Sequence, residues 1–388
     1  ASCQSVCPKG AISFANGKSV IDETICIRCG KCASACSYHA IAFIERPCQA
    51  ACGMDAIGLD ENGKARIDYD RCVSCGQCLV SCPFGAIVDK SQIFQVVRSI
   101  AEGNTVVAIV APSFVGQFGK NVTVPKFVAA MKQLGFSDVV EVAAGADVCA
   151  IEEARDFVEK VPAQQKFLAT SCCPSWRMMA RRLFPDESGN ISMTYTPMIY
   201  TARLVKHTHP GSKVVFIGPC AAKKLEAMQQ ELRSDVDFVL TYEELMGIFE
   251  AKAIDFSQLP DTDDLHDASG LGRGFAAAGG VAAAVEEVLR RTQPDMEVKI
   301  QRADGLRECR RLLTLAKAGK FDGYLLEGMA CPGGCVAGAG TIIPAEAAKK
   351  QLDAHAKQAT VFSCAESPYR AFAGLLEEPA AREEETKR

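Results

Sequence analysis

Long apolar runs are missing from this sequence. No stretch approaches the roughly 20 residues that span a bilayer, and the Ala-rich segment 275–285 is broken by Gly279 and Gly280, so we expect no membrane insertion. A charge bias is missing too. The 43 basic and 47 acidic residues are spread along the chain, and a net charge of −4 favours neither nucleic acid nor an anionic membrane surface. No secretory signal pattern opens the chain, which argues for a reducing cytoplasm. Histidine is scarce: the five residues show no ligand spacing and are expected at the surface. Ala1 is not an initiator, and Cys3 and Cys7 look like the tail of a motif whose beginning is missing. The rest is ordinary, 48% hydrophobic over 388 residues, enough for two or three domains.

Against this background the chain holds 20 cysteines, 12 of them in the first 82 residues at intervals that suit thiolate ligands better than pairwise bridges. The chain also repeats itself here. Cys3, Cys7, Cys26, Cys29, Cys32 and Cys36 recur as Cys48, Cys52, Cys72, Cys75, Cys78 and Cys82. An Asn-Gly pair in each copy, Asn16–Gly17 and Asn62–Gly63, predicts a tight hairpin turn between β-prone stretches.

From about residue 96 apolar strands alternate with amphipathic helices. Strands are expected at 106–110, 139–142, 167–169, 214–217, 236–240, 298–301 and 323–326, and helices at 126–134, 241–250 and 306–317. The alternation predicts an α/β domain with parallel sheets, preceded by an α+β repeat domain. Ligands in such sheets gather at strand C-termini. There lie Ala111-Pro112-Ser113, Cys172-Cys173, Gly218-Pro219-Cys220 and Met329-Ala330-Cys331. The expected domains are 1–92 (repeats 1–45 and 46–92) and 93–376, with a charged tail at 377–388.

The C-x2-C-x2-C runs place three thiolates on one loop, with a fourth from elsewhere. Their distance from the preceding Cys7 and Cys52 resembles that in bacterial two-cluster ferredoxins. This assigns Cys7, Cys26, Cys29 and Cys32 to one [4Fe–4S] cluster and Cys52, Cys72, Cys75 and Cys78 to another. Cys3, Cys36, Cys48 and Cys82 are left over. Cys36 and Cys82 suit an exchange of fourth ligands between the two runs, and the four together suit a third cluster. Zinc in the same cysteines is the competing assignment.

Three further motifs lie far apart: Thr170-Ser-Cys-Cys-Pro-Ser-Trp176, Gly218-Pro-Cys-Ala-Ala-Lys-Lys-Leu-Glu226 and Glu327-Gly-Met-Ala-Cys-Pro-Gly-Gly-Cys-Val-Ala-Gly-Ala-Gly340. Together and in this order they resemble the three signatures of [FeFe]-hydrogenases. The resemblance extends over nearly the whole chain. It implies a two-lobed α/β domain holding the H-cluster, a [4Fe–4S] cubane joined through one cysteine to a di-iron unit with CO, cyanide and azadithiolate. On this resemblance Cys173, Cys220, Cys331 and Cys335 ligate the cubane, and Cys335 bridges to the di-iron unit. Cys172 shuttles protons, Lys223 hydrogen-bonds a cyanide, Met329 packs beside the di-iron site, and Ala111, Pro112, Ser113 and Pro219 line the cofactor. A relay runs from Cys172 through water to Glu153, Ser192 and Asp156. On residue type alone, Glu153 and Asp156 also suit a solvated helix face, Lys223 a surface lysine and Cys172 a buried thiol.

Three departures stand out. Gly218 replaces a common Met, Met198 a common Gln, and Asp156 the usual Glu. With the doubled ferredoxin units they resemble the group B branch. Cys149, Cys309 and Cys364 lack a motif and read as structural. The function expected is reversible reduction of protons to dihydrogen, with electrons from a ferredoxin-type partner and a di-iron unit inserted by maturation proteins. An iron–sulfur scaffold or a hydrogen sensor is the alternative.

Overall fold

The protein, seen in a computed structural model, is described at residues 2–376 other than 28, 43–45, 262–264 and 266. The expected charged tail and His266 lie outside these residues. The chain divides into two compact units, residues 1–50 and 51–388.

The first unit is built round a hairpin of β1 (Ile12–Ala15) and β2 (Lys18–Ile21). Its two-residue turn has Asn16 at φ 52° and Gly17 at φ 74°, the left-handed pair that matches strand twist. Short helical turns at Ser2–Ser5 and Lys31–Ser34 flank it. Only Cys3, Ala11, Ile12 and Cys48 are buried hydrophobics among the described residues of this unit. So small a core points to folding coupled to metal binding.

The second unit opens with a related hairpin, β3 (Ile57–Leu59) and β4 (Ala65–Ile67), whose connection is wider than expected. The extra residue in this copy lets the Asp60 carboxylate accept from the Asn62 and Lys64 N–H groups at 2.9 and 2.7 Å, making a five-residue loop.

Two parallel sheets follow. One has the order β6 (Asp138–Glu141), β5 (Val106–Val110), β8 (Lys213–Gly218), β9 (Phe238–Thr241); the other runs β10 (Lys299–Asp304), β11 (Tyr324–Met329), β7 (Leu168–Ala169). All seven expected strands are present. β5 is buried along its whole length, which is why it reads as an unbroken Val/Ile run rather than an alternating one. β10 and β11 extend three residues past their expected ends because they pair with each other over six positions. Helices cover the sheets. Val124–Leu134 is capped by Thr123, and Tyr242–Ala251 starts with a capping box between Thr241 and Glu244. Among the described residues, no helix is long and apolar enough to cross a membrane.

One histidine is not at the surface. His355 is 5% exposed, with Nε2 2.8 Å from the fully buried Glu141 carboxylate, which Arg273 also meets at 3.0 Å. A buried carboxylate needs such partners, and neither comes from nearby sequence.

Parts of the three cysteine motifs are braces rather than ligands. Glu327 accepts from Gly279 and Ala282 N–H groups at 2.6 and 2.7 Å, capping the Gly280–Thr292 helix. Trp176 is fully buried and donates through Nε1 to the Thr170 carbonyl at 2.9 Å. A side chain at Gly328 would overlap the Trp176 ring. Gly328→Ala is therefore expected to lower stability by roughly 1–3 kcal/mol, the ordinary cost of overpacking. Chemical denaturation would read the loss, and an unchanged midpoint would refute the contact.

Candidate active site

Four strands deliver the site. The loops that leave β5, β7, β8 and β11 supply Ala111 and Pro112, Cys172 and Cys173, Pro219 and Cys220, and Ala330 and Cys331, all in the wall of one cavity. Cys335, Lys223 and Met329 join them, and so does Cys75 from the cysteine repeat. Ser113 does not belong to this wall. The remaining surface is largely apolar, with Val142, Met198, Phe216 and Phe275 among its residues. Two glycines shape it. Gly334 has φ 95° and lies so close to the Ala276–Ala278 backbone that a Cβ would collide with it. Gly218 lies under Phe216, whose ring Cζ would stand 2.5 Å from an added Cβ. The aromatic ring thus fills the space where a longer residue at 218 would project.

Burial dominates the electrostatics. It pushes the Cys220 thiol to about 11 and those of Cys335 and Cys75 to about 12, and it raises Cys172 and Cys331 well above the ordinary thiol value. Such thiols ionise only when a cation meets them. Lys223 also pays for burial, yet Glu226 at 2.6 Å, helped by Cys220 and Cys172, raises its pKa and keeps it an ammonium. The donor set fits an iron–sulfur cluster: four sulfurs from three loops, tight glycine turns and one buried cation toward which an anionic ligand could point.

The proposed relay residues sit behind this wall. Glu153, on the buried face of the Ala143–Lys160 helix, accepts from the Ser171 N–H and Oγ at 3.0 and 3.1 Å, one residue from Cys172. Its Oε2 has no partner among the described residues, and burial raises its pKa to about 7. Ser192 donates to Asp156 at 3.3 Å, and Asp156 pairs with Lys160 at 2.8 Å nearer the surface.

Among the repeat cysteines of the second unit, Cys52, Cys72, Cys75 and Cys78 line one cavity, whose wall does not include Cys82. In the first unit Cys26 and Cys29 lie in the loop after β2, and Cys32 on the helical turn that follows. A finer repeat emerges. Cys7, Cys36, Cys52 and Cys82 each accept, at 3.3 Å, the N–H of the alanine four residues on. The residue before that alanine has a positive φ each time: Gly10, His39, Asp55, Gly85. The two-copy repeat is thus four copies of one turn. Its text, Cys-x-x-x-Ala-Ile, was legible in the sequence but is short.

A family model for the iron only hydrogenase large subunit, C-terminal domain, matches residues 104–339, and a 4Fe-4S binding domain matches residues 18–41 and 64–87. The chain belongs to the iron-only hydrogenase family. Iron hydrogenase 1 of Clostridium pasteurianum is 30% identical over 86% of this chain and 67% of its own length. The cytosolic iron-sulfur assembly component 3 of Bos taurus is 26% identical over 59% of each chain. Among solved structures, an apo [FeFe]-hydrogenase of Chlamydomonas reinhardtii superposes with a TM-score of 0.61 at 20% identity, covering 76% of this chain and 96% of that one. The chain spans about half to two thirds of the length of the curated hydrogenases it matches.

Beside this wall, Gly218→Met is expected to cost roughly 1–3 kcal/mol of stability through the clash with Phe216. Combining it with Phe216→Ala should recover most of the loss. If Gly218→Met alone has no effect in urea denaturation, the ring does not occupy that space.

Proposed function

We propose that this chain is an [FeFe]-hydrogenase that interconverts protons and electrons with dihydrogen. The observation that carries the reading is the company kept by Cys172. With Cys75 counted to the repeat, it is a thiol beyond the four of Cys173, Cys220, Cys331 and Cys335 in the same cavity wall, with a buried ammonium at Lys223. A protein that only carried a cubane would need four thiols and no buried cation.

Cys173, Cys220, Cys331 and Cys335 would hold the cubane, and Cys335 would serve the di-iron unit as well. When bound, that group would supply the redox chemistry and the formation and cleavage of the H–H bond. The chain's own residues bind, orient, keep the site dry and carry the proton. Lys223, fixed by Glu226, presents its ammonium to an anionic ligand. Met329, Phe216 and Met198 keep the cavity apolar, which strengthens that interaction. Cys172 carries the proton at Sγ. Beyond it, the unpaired Glu153 Oε2 suits a bridging water, and a carboxyl that titrates near neutrality suits both taking and giving a proton. Ser192 and Asp156 continue the route outward. Electrons would come from a ferredoxin-type donor and reach the cavity by way of Cys75, which shares its wall. Maturation proteins would insert the di-iron unit, and we place the enzyme in the cytoplasm.

Infrared spectroscopy of protein reconstituted with iron and sulfide and then loaded with the di-iron unit should show CO and cyanide bands. Cys172→Ala should keep those bands while lowering turnover by at least ~100-fold; Cys173→Ala should impair loading itself. Wild-type protein that takes up a cubane but never acquires the bands would favour the role of the assembly components among its relatives.

Glu153 gives a pH signature. Its folded pKa of about 7 lies above the ordinary carboxyl value, so its contribution is present in acid and is lost as pH rises through about 7. Between pH 5 and 8 the wild type should lose on the order of 1–3 kcal/mol that Glu153→Gln retains. Denaturation midpoints across that range would show it, and parallel curves for the two proteins would refute the buried carboxyl.

A further inference from the structure

Tyr242 is the first residue of the Tyr242–Ala251 helix, is fully buried, and lies outside the cavity wall. Its hydroxyl is 3.0 Å from the Ala111 carbonyl and 2.8 Å from Ser113 Oγ. A phenol has one proton and a carbonyl can only accept, so the Tyr242 proton is committed to Ala111. Ser113 must then be the donor in the second bond. Its proton points at Tyr242, in agreement with its absence from the cavity wall. Gln117 completes the hold. Its Nε2 donates to the Ser113 carbonyl at 3.1 Å, while its Oε1 accepts from the Ile342 and Ile343 N–H groups at 2.8 and 3.2 Å. That second segment follows directly on the loop that carries Cys335. The Ala111–Ser113 turn is therefore stitched on one side to a helix start and on the other to the downstream end of the third cysteine motif.

We propose that Tyr242 is a positioning residue for the active site: it fixes the Ala111–Pro112 backbone in the cavity wall and turns the Ser113 hydroxyl away from whatever the cavity holds. The assignment deepens the hydrogenase reading and rests on it only for the infrared part of its test. The family resemblance places Ser113 in the segment that lines the cofactor. Here its hydroxyl is engaged by Tyr242, and Ala111 and Pro112 are the residues of this turn in the cavity wall.

Two substitutions in the full-length, cluster-reconstituted protein separate the alternatives. Tyr242→Phe removes the hydroxyl and leaves the Ala111 carbonyl and the Ser113 hydroxyl without their partner. Amide exchange in a peptide covering residues 111–118 should rise about tenfold, the effect of losing one buried hydrogen bond from a local opening equilibrium. Ser113→Ala keeps the bond from Tyr242 to Ala111, so exchange there should stay within about twofold of wild type. After loading with the di-iron unit, Tyr242→Phe should shift the CO and cyanide infrared bands, and Ser113→Ala should leave them in place. Unchanged exchange in Tyr242→Phe, or band shifts in Ser113→Ala, would overturn the proposal. If wild type never acquires the bands, the hydrogenase reading fails, and the exchange measurement still decides the role of Tyr242.

Discussion

Four thiols buried round one apolar cavity cannot all ionise unless cations meet them. Burial raises Cys220, Cys331 and Cys335 far enough that these three are neutral sulfhydryls until a cation arrives. Binding iron there releases protons and converts a desolvation penalty into coordination energy, so the site's affinity and the stability of its surroundings are linked. The same condition explains Lys223. An ammonium this deep persists because the Glu226 carboxylate, 2.6 Å away, sustains it, and a positive charge held in a low-dielectric wall acts on an anionic ligand far more strongly than one in water.

The architecture meets this condition with strand ends. Parallel sheets collect the loops after β5, β8, β7 and β11 around one volume, and the backbone bends tightly there because glycines stand at the points of closest approach. Much of the signature text serves that bending and its support. Glu327 caps a helix, Gly328 makes room for Trp176, and Trp176 holds the Thr170 carbonyl. Residues of one motif are thus divided between those that would touch a cluster and those that keep the loops from moving.

Most of this was readable from the chain because cysteine spacing and strand periodicity are local properties. β5 announces itself by five consecutive buried aliphatic residues, and Cys172-Cys173 by its position after β7. What escaped reading depends on distant partners. His355 looks like any surface histidine until Glu141, more than 200 positions away, is seen beside it. Ser113 reads as part of the cofactor-lining segment until Tyr242, 129 positions away, is seen 2.8 Å from its hydroxyl. The second Asn-Gly turn was misjudged for a smaller reason, one inserted residue that allows Asp60 to organise the loop.

The four-copy turn sharpens the meaning of the leftover cysteines. Each copy aims an alanine N–H at sulfur, and at Cys7, Cys36 and Cys82 such backbone N–H groups hold the thiol below its ordinary pKa. Cys36 and Cys82 therefore have the same local preparation for thiolate chemistry as Cys7, although the spacing argument assigned only Cys7 and Cys52 to clusters. A local turn prepares a ligand; it does not supply the three others a cubane needs. In the second unit the cavity lined by Cys52, Cys72, Cys75 and Cys78 already collects four sulfurs. At Cys82 the same backbone turn is present without a place in that cavity, so the turn and the gathering of sulfurs are separate properties of the chain.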